Sequence, residues 1–303
     1  MVNPDPNRFF IIAGLTAVGK SELAVAVAER CGGEIVSADA FQVYTGLDLL
    51  TAKPSPALRA GAPHHLIGEI PLTQPFDVAQ FLARAGSRID EIRERGRIPI
   101  VVGGTGLYVR ALTHGLADLP SADAALREQL ETQTTADLCA QLAVRDPAAY
   151  AQIDRQNRRR VVRALEVCLL TGRPFSSFRE QWQATPEARG VVLQRDRSEL
   201  HERINQRTLE MFAGGVVEEV RAAGAVGPTA SQTLGWREIQ ALIAGTFRRE
   251  DCIAAIQQAT RQYAKRQMTW FRREPHLDAV ELTGASAPDS LIETLAERAK
   301  AAR

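Results

Sequence analysis

The residues best suited to chemistry form a glycine-rich loop near the start of the chain. It fits the pattern G-x-x-x-x-G-K-[ST] and consists of Gly14, Leu15, Thr16, Ala17, Val18, Gly19, Lys20 and Ser21. The glycines would let backbone N–H groups point inward around phosphate oxygens, and Lys20 would add a mobile positive charge. The Ser21 hydroxyl suits a Mg²⁺ ion that bridges two phosphates. The loop therefore predicts a phosphate ligand without naming a reaction.

A carboxylate, Asp39, follows the second apolar run of the chain. In a doubly wound sheet, the edge where this run ends faces the same crevice as the phosphate loop. A carboxylate there could bind a metal, orient a hydroxyl, act as a general base or only cap a turn. These roles stay open on the residues alone.

A parallel sheet would bring the loop and the carboxylate together. Short apolar runs without polar alternation predict buried strands, and helical periodicity follows the first and third of them. This alternation is typical of a parallel sheet covered by helices on both faces. The predicted strands are 8–14, 34–37, 98–102, 191–194 and 278–282, and the predicted helices include 19–30, 107–112, 198–212, 216–223 and 250–273.

The middle of the chain differs from the rest in composition and in its pattern of apolar residues. It is polar and helical in pattern, and it is rich in Ala, Gln, Arg and Asp. We therefore predict an α/β fold: a P-loop core with a parallel sheet flanked by helices, plus a helical insertion domain. The predicted segments are 1–120 for the first part of the core, 121–190 for the insertion and 191–303 for the second part.

Composition limits the classes of function. The 303 residues include 37 Lys and Arg against 36 Asp and Glu, so binding of nucleic acid would have to rest on local clusters of charge. Four scattered cysteines without a C-x-x-C pair argue against a zinc ribbon and a disulfide framework. The apolar run at 9–13 is too short for a signal or membrane segment. We expect a reduced, cytoplasmic protein that does not bind membranes.

Two clusters of basic residues break the neutral average. The first has five arginines in nine residues, and the second is a stripe along the predicted helix 250–273. Such stripes usually meet backbone phosphates, although a solvated helix face is the commoner role of a charge run. The members are Arg155, Arg158, Arg159, Arg160 and Arg163 in the first cluster, and Arg261, Lys265, Arg266, Arg272 and Arg273 in the second.

The strand at 98–102 argues against motor and switch NTPases. It ends in Gly-Gly-Thr-Gly (103–106) and not in a metal-holding acid, and no N-K-x-D guanine motif occurs.

Together with these features, further motifs resemble one known family, the bacterial tRNA dimethylallyltransferases, also called tRNA isopentenyltransferases. The resemblance extends over roughly 10–273, and the joint occurrence of the motifs is specific. The motifs are the phosphate loop, Asp39 with Gln42 and Tyr44, Thr51–Pro54, Pro63–Ile67, Gly103–Tyr108, Arg163–Val167, Thr171–Pro174, Leu234–Glu238 and Thr260–Trp270.

The resemblance implies Mg²⁺-dependent transfer of a dimethylallyl group from its diphosphate to the exocyclic amine of the adenosine 3′ of the anticodon. The phosphate loop, whose pattern also marks ATP-binding proteins, would hold the donor's diphosphate. Asp39 would be the general base, and Thr16, Lys20 and Arg207 would stabilise the leaving group, with Arg203 as an alternative to Arg207. The residues expected to contact tRNA are Asp39, Ala40, Phe41, Gln42, Thr105, Arg127, Arg159, Arg160, Val161, Val162, Arg163, Arg237, Arg261, Lys265 and Arg266.

The sequence departs from the family pattern without losing a proposed catalytic group. Leu15 and Val18 replace a frequent proline and serine, Ala40 and Phe41 replace Ser-Met, and Gly68 stands where an aspartate is common. Ala40 removes a hydroxyl that could bond the target base.

Three other functions compete with this one. An adenylate isopentenyltransferase would not need the arginine-rich insertion, and a small-molecule P-loop kinase leaves the Gly-Gly-Thr-Gly segment unexplained. In a non-catalytic RNA-binding protein, Asp39 would be dispensable. The prediction is an enzyme that acts on the anticodon stem-loop as a monomer.

Overall fold

The computed structural model describes residues 8–181, 189–284 and 286–302. Residues 1–7, where no signal segment is predicted, and residues 182–188 of the predicted insertion lie outside this part of the chain. The chain folds into two compact units: a first unit of 1–113 and 185–303, and a second unit of 114–184.

The first unit is built on a six-stranded sheet in which every pairing is parallel, in the order β3-β2-β4-β1-β5-β6. The inner strands β1, β2 and β4 are buried at every residue, and the inner strand β5 is buried except at its two ends, as expected for apolar runs covered on both faces. The strands are β1 (Phe10–Gly14), β2 (Gly33–Ser37), β3 (His64–His65), β4 (Ile98–Gly103), β5 (Arg189–Gln194) and β6 (Asp278–Glu281).

This topology places β2, β4, β1 and β5 side by side, so their carboxyl ends share one edge of the sheet. The phosphate loop leaves β1, Asp39 follows β2, and the Gly-Gly-Thr-Gly segment follows β4. The predicted α/β class is confirmed.

Helices cover the sheet and close the first unit. Leu23 and Val27 of the first helix, Ile12 of β1 and Leu295 of the last helix share one apolar cluster. A second cluster joins Leu47 and Leu50 to helices late in the chain. The helices are α1 (Lys20–Cys31), α2 (Pro56–Ala60), α3 (Val78–Glu94), α4 (Gly106–His114), α9 (Arg197–Ala213), α10 (Val216–Ala222), α11 (Trp236–Ile243), α12 (Arg249–Phe271) and α13 (Asp289–Lys300), with a 3₁₀ turn at Ala230–Gln232.

The second unit is helical and has its own core. Leu138 and Leu142 pack against Val161 and Leu165, which gives the unit an apolar centre. Its helices are α5 (Ala124–Glu131), α6 (Thr135–Arg145), α7 (Pro147–Gln152) and α8 (Arg158–Thr171), followed by a 3₁₀ segment at Phe175–Gln181.

Helix α3 was not predicted although its signals are present. Asp77 and Gln80 form a reciprocal capping box at its start, and Phe81, Ala85 and Ile89 lie on its buried face. This helix packs against β4 and β2.

In the sequence, the apolar stripe of Ile253, Ile256, Tyr263 and Trp270 predicts the core face of α12, and the structure confirms this only in part. Ile256 is buried, but Ile253, Tyr263 and Trp270 are only half-buried. The buried face instead includes two polar residues, and polar residues on a buried face cannot be found from apolar periodicity. Its members are Cys252, Ile256, Thr260, Ala264, Gln267 and Phe271.

Among the described residues, no helix is both long and apolar enough to cross a membrane.

Candidate active site

The phosphate loop connects β1 directly to α1, so the first free N–H groups of the helix face the loop's interior. Gly19 precedes the helix with φ 104°, a left-handed conformation that favours glycine. Ala17 also has a positive φ of 62°, which is uncommon for a residue with a Cβ. The loop is therefore held in a conformation that its own sequence only partly favours.

Side chains from distant elements hold the loop's carbonyl groups. The Nε of Arg203, on α9, donates to the carbonyl of Ala17 at 2.8 Å. Arg195, which follows β5, is buried and donates to the carbonyl of Val18 from Nε and from NH2, each at 3.3 Å. These bonds fix the loop through its backbone, with Arg203 on the wall of the cavity that the loop borders and Arg195 away from that wall.

Arg207 binds a side chain of the loop, whereas Arg203 binds its backbone. The NH2 of Arg207 lies 2.9 Å from the Thr16 hydroxyl oxygen, to which it donates. Burial lowers the pKa of Arg207, and the Asp39 carboxylate partly offsets this shift. The two arginines thus have different roles, and the guanidinium of Arg207 is the one directed at a side chain of the phosphate loop.

Lys20, near the end of the loop, is half-buried and donates from Nζ to the carbonyl of Leu15 at 2.6 Å. Burial lowers its pKa from 10.5 to about 8, although Asp39 favours its charged form. Its proton is thus weakly held for a lysine.

The Asp39 carboxylate interacts with both Lys20 and Arg207, because it favours the charged form of each. One of its oxygens, Oδ1, accepts hydrogen bonds from the backbone N–H groups of Phe41 at 2.9 Å and Gln42 at 3.3 Å. These bonds fix the orientation of the carboxyl group, while Asp39 itself lines the cavity.

The residues around Asp39 are held by equally specific contacts. The Thr105 hydroxyl, which follows β4, accepts a hydrogen bond from the backbone N–H of Ala40 at 3.1 Å. The Gln42 amide donates to the carbonyls of Thr51 at 3.3 Å and Ala52 at 3.1 Å. The segment after β2 is therefore anchored to two other loops.

A cavity of about 950 Å³ lies within the first unit and brings these groups together. Among the described residues that line it, none is a histidine or cysteine, so the available metal ligands are oxygens. The predicted site residues on its wall are Thr16, Ala17, Gly19, Lys20, Ser21, Asp39, Phe41, Gln42, Arg207, its alternative Arg203, Arg237 and Arg266. Predicted residues of this unit that are not on the wall are Gly14, Leu15, Val18, Ala40, Thr105, Arg261 and Lys265.

Two residues of α12 were missed as candidates and belong to the site. Tyr263 lines the cavity, and its pKa is raised by burial and by Asp39, with hydrogen bonds to Thr105 and Gln267 opposing the shift. Gln267 is 4% exposed and bonds two loops. A glutamine on a buried helix face is the one signal in the sequence that could have indicated it.

The members of the basic stripe of α12 differ in whether they bind other side chains of the protein or are exposed. Arg261 donates to the Asn205 side chain at 2.8 Å, while Lys265 and Arg266 are exposed. The Arg266 guanidinium lies 5.7 Å from the centre of the Tyr263 ring. Arg266 therefore connects the exposed stripe with the wall of the cavity.

In the second unit, the predicted RNA contacts Arg127 and Arg163 bind a carboxylate. Glu166 is fully buried, and both arginines donate to it, Arg127 through two bonds of 2.9 and 3.0 Å and Arg163 at 2.6 Å. Their guanidinium groups therefore hold the unit together.

The remaining predicted contacts of the second unit differ in exposure. Val161 and Val162 are buried in its apolar core, which leaves their side chains no surface for RNA. Arg159 and Arg160 are exposed at the start of α8.

The comparisons with known proteins decide the family. The sequence model described as IPP transferase matches residues 42–274, and the one described as isopentenyl transferase matches residues 7–63. A tRNA dimethylallyltransferase of Akkermansia muciniphila is 43% identical over 94% of this chain and 97% of that protein. The chain belongs to the IPP transferase family. The resemblance inferred from the motifs is thus confirmed, and the chain is a prenyltransferase.

Solved structures of family members agree with this assignment. The tRNA isopentenylpyrophosphate transferase of Bacillus halodurans is 34% identical, with a TM-score of 0.69 over 97% of both chains. A eukaryotic dimethylallyltransferase acting on tRNA is 27% identical, with a TM-score of 0.77 over 90% of this chain and 73% of that one. The kinase and non-catalytic alternatives have no support from these neighbours.

Proposed function

We propose that the chain transfers a dimethylallyl group from dimethylallyl diphosphate to the N6 amine of the adenosine 3′ of the anticodon in tRNA. The observation that carries the proposal is one cavity that joins a phosphate loop, the cations Lys20 and Arg207, and the carboxylate of Asp39. The names of the relatives supply the substrates, and the cavity supplies groups suited to them. Such a substrate also argues for a cytoplasmic location, and we expect a monomer to suffice because the described cavity lies within one chain.

The diphosphate would bind between α1 and α9. The N–H groups at the start of α1, the Lys20 ammonium and the Arg207 guanidinium all favour an anion there. Negative charge grows on the bridging oxygen as the allyl group leaves, so preorganised cations lower the barrier. Arg207 is favoured over Arg203 because its NH2 donates to the side chain of Thr16, whereas Arg203 donates to the loop's backbone.

A Mg²⁺ ion fits this donor set. Ser21 would hold it together with diphosphate oxygens, since hydroxyl and carboxylate oxygens are the protein ligands that the cavity offers. When bound, the ion would add positive charge beside the leaving group.

Asp39 would take the proton of the amine. The lone pair of an adenine N6 is delocalised into the ring, so the amine needs a base as its bond to the allyl carbon forms. In the balanced step, the N6–C1 bond forms, the C1–O bond to the diphosphate breaks, and the N6 proton moves to the Asp39 carboxylate. The hydrogen bonds to Oδ1 leave Oδ2 for this role.

The acceptor base would enter beside Phe41 and Gln42. A base of a stem-loop must leave its stack before it can react, and aromatic and amide groups commonly receive it. The exposed cations Arg159, Arg160, Lys265 and Arg266 would bind backbone phosphates, which predicts salt-dependent affinity.

The test offers labelled dimethylallyl diphosphate with Mg²⁺ to three acceptors in parallel: an anticodon stem-loop with an adenosine 3′ of the anticodon, AMP and ATP. We expect label in the RNA alone, with release of one pyrophosphate for each group transferred. Label in AMP or ATP would assign the adenylate reaction instead, and no transfer from folded protein would refute the proposal.

A further inference from the structure

Gln267 occupies a position where a polar side chain needs a specific reason. It lies on the buried face of α12, between Ala264 and Phe271, and is 4% exposed. A buried amide without partners would cost about 1–3 kcal/mol, so its bonds decide whether the residue is tolerated. Both of its polar atoms are satisfied by backbone groups of the site.

Each end of the Gln267 amide binds a different loop. Its Oε1 accepts from the backbone N–H of Thr16 at 2.8 Å, and its Nε2 donates to the carbonyl of Gly104 at 2.9 Å. Thr16 belongs to the phosphate loop after β1, and Gly104 belongs to the segment after β4. One side chain therefore bridges two neighbouring strand ends.

The close approach explains a glycine in the Gly-Gly-Thr-Gly segment. A Cβ at Gly104 would lie 2.2 Å from the Nε2 of Gln267, a distance that non-bonded atoms cannot reach. Only glycine allows the amide to reach the carbonyl of residue 104.

The two bridged loops carry the two halves of the proposed chemistry. The Thr16 side chain accepts a hydrogen bond from Arg207 on the diphosphate side. On the other side, Thr105 follows Gly104 and accepts from the N–H of Ala40, next to the proposed base Asp39. The Gln267 amide is thus a short connection between the groups that hold the donor and those that orient the base.

We infer that Gln267 is a positioning residue for the transfer reaction: its amide fixes the phosphate loop relative to the segment that orients Asp39. The inference rests on the proposed function and adds a role for α12 within the same site. A displacement of about 1 Å between reacting groups can cost about 10²-fold in rate. Loss of the bridge should therefore lower the rate of the bound complex more than it lowers the affinity for RNA.

The test uses Gln267→Leu, with Cys252→Ala as a control. Cys252 is fully buried on the same face of α12 but is absent from the cavity wall, so its loss reports general damage to this helix. With donor and RNA saturating, we expect Gln267→Leu to lower the single-turnover rate by about 10- to 100-fold, with RNA affinity changed by about twofold or less. Cys252→Ala should keep the wild-type rate at a similar loss of thermal stability.

A second variant, Gln267→Glu, separates positioning from packing. When protonated, the introduced carboxyl can accept from Thr16 N–H and donate to the Gly104 carbonyl as the amide does. When ionised, it loses the donor and brings negative charge to the phosphate loop. The ratio of its rate to the wild-type rate should therefore rise as pH falls. Charged and titratable groups on the same cavity wall include Lys20, Asp39, Arg203 and Arg207 on other elements, and Tyr263 and Arg266 on α12 itself. The ratio cancels the titration that the variant and the wild type share.

The outcomes are distinct. A wild-type rate for Gln267→Leu, or a ratio for Gln267→Glu that falls as pH falls, would overturn the positioning role. So would a loss in Gln267→Leu that is matched by an equal loss in Cys252→Ala. Failure of the wild-type protein to modify RNA would instead count against the proposed function, and affinity for pyrophosphate, measured without transfer, would still report on the loop.

Discussion

Binding of a diphosphate should depend on the protonation of Lys20. Burial lowers the pKa of its ammonium from 10.5 to about 8 in the unliganded protein, and a diphosphate binds the charged form. Below that pH the lysine is already charged, so the affinity is flat with respect to this group. Above it, binding must take up a proton, and the affinity falls by a factor of 1 + 10^(pH − 8). From pH 7 to pH 9 this amounts to about tenfold.

Calorimetric titration with inorganic pyrophosphate and Mg²⁺ measures this effect. The control is Lys20→Arg, because a guanidinium stays charged over the whole range. Protonation of pyrophosphate itself changes equally in both titrations. We expect the ratio of wild-type to variant affinity to fall about tenfold between pH 7 and pH 9. A ratio that stays constant would refute the claim that a weakly basic, half-buried Lys20 contacts the diphosphate.

Three further predictions concern stability and RNA binding. Lys20→Met should raise the melting temperature of the unliganded protein and abolish pyrophosphate binding in calorimetry, because it removes a partly desolvated charge that the ligand needs. Arg127→Ala should lower the free energy of unfolding by about 2 kcal/mol in denaturant titrations. This is less than the usual ~3–5 kcal/mol for a broken buried pair, because Arg163 still binds Glu166. Unchanged stability would contradict this structural role. Arg160→Ala should change the free energy of unfolding by less than ~0.5 kcal/mol. It should also reduce by about one unit the slope of log RNA affinity against log salt concentration. An unchanged slope would exclude a phosphate contact.

The phosphate loop and Asp39 were predictable because local patterns determine them. A loop between a buried strand and a helix has few possible conformations, and parallel strands bring their carboxyl ends to one edge. For the same reason the sequence was sufficient to predict the α/β fold. Helix α3 was predictable on the same grounds, since Asp77 and Gln80 form a capping box that is recognisable in the sequence.

The contributions of α12 were not predictable in the same way. The role of Gln267 depends on backbone groups 163 and 251 residues earlier in the chain, and no local pattern encodes such a distance. The ion pairs of Arg127 and Arg163 with Glu166 were not predicted for a related reason, because charge alone does not tell a solvated arginine from one that neutralises a buried acid. Glu166, three residues after Arg163, is the residue in the sequence that could have indicated this pairing.

The central claim, that Asp39 is the base of an RNA prenyl transfer, is tested most directly by the single-turnover rate of Asp39→Asn. The substitution can keep the Oδ1 acceptor for the N–H groups of Phe41 and Gln42, so the loop should retain its shape. With labelled donor and stem-loop RNA saturating, we predict a rate about 10²–10⁴-fold below wild type and RNA affinity within about twofold. Transfer within about threefold of the wild-type rate would contradict the account, as the base effect should far exceed that margin.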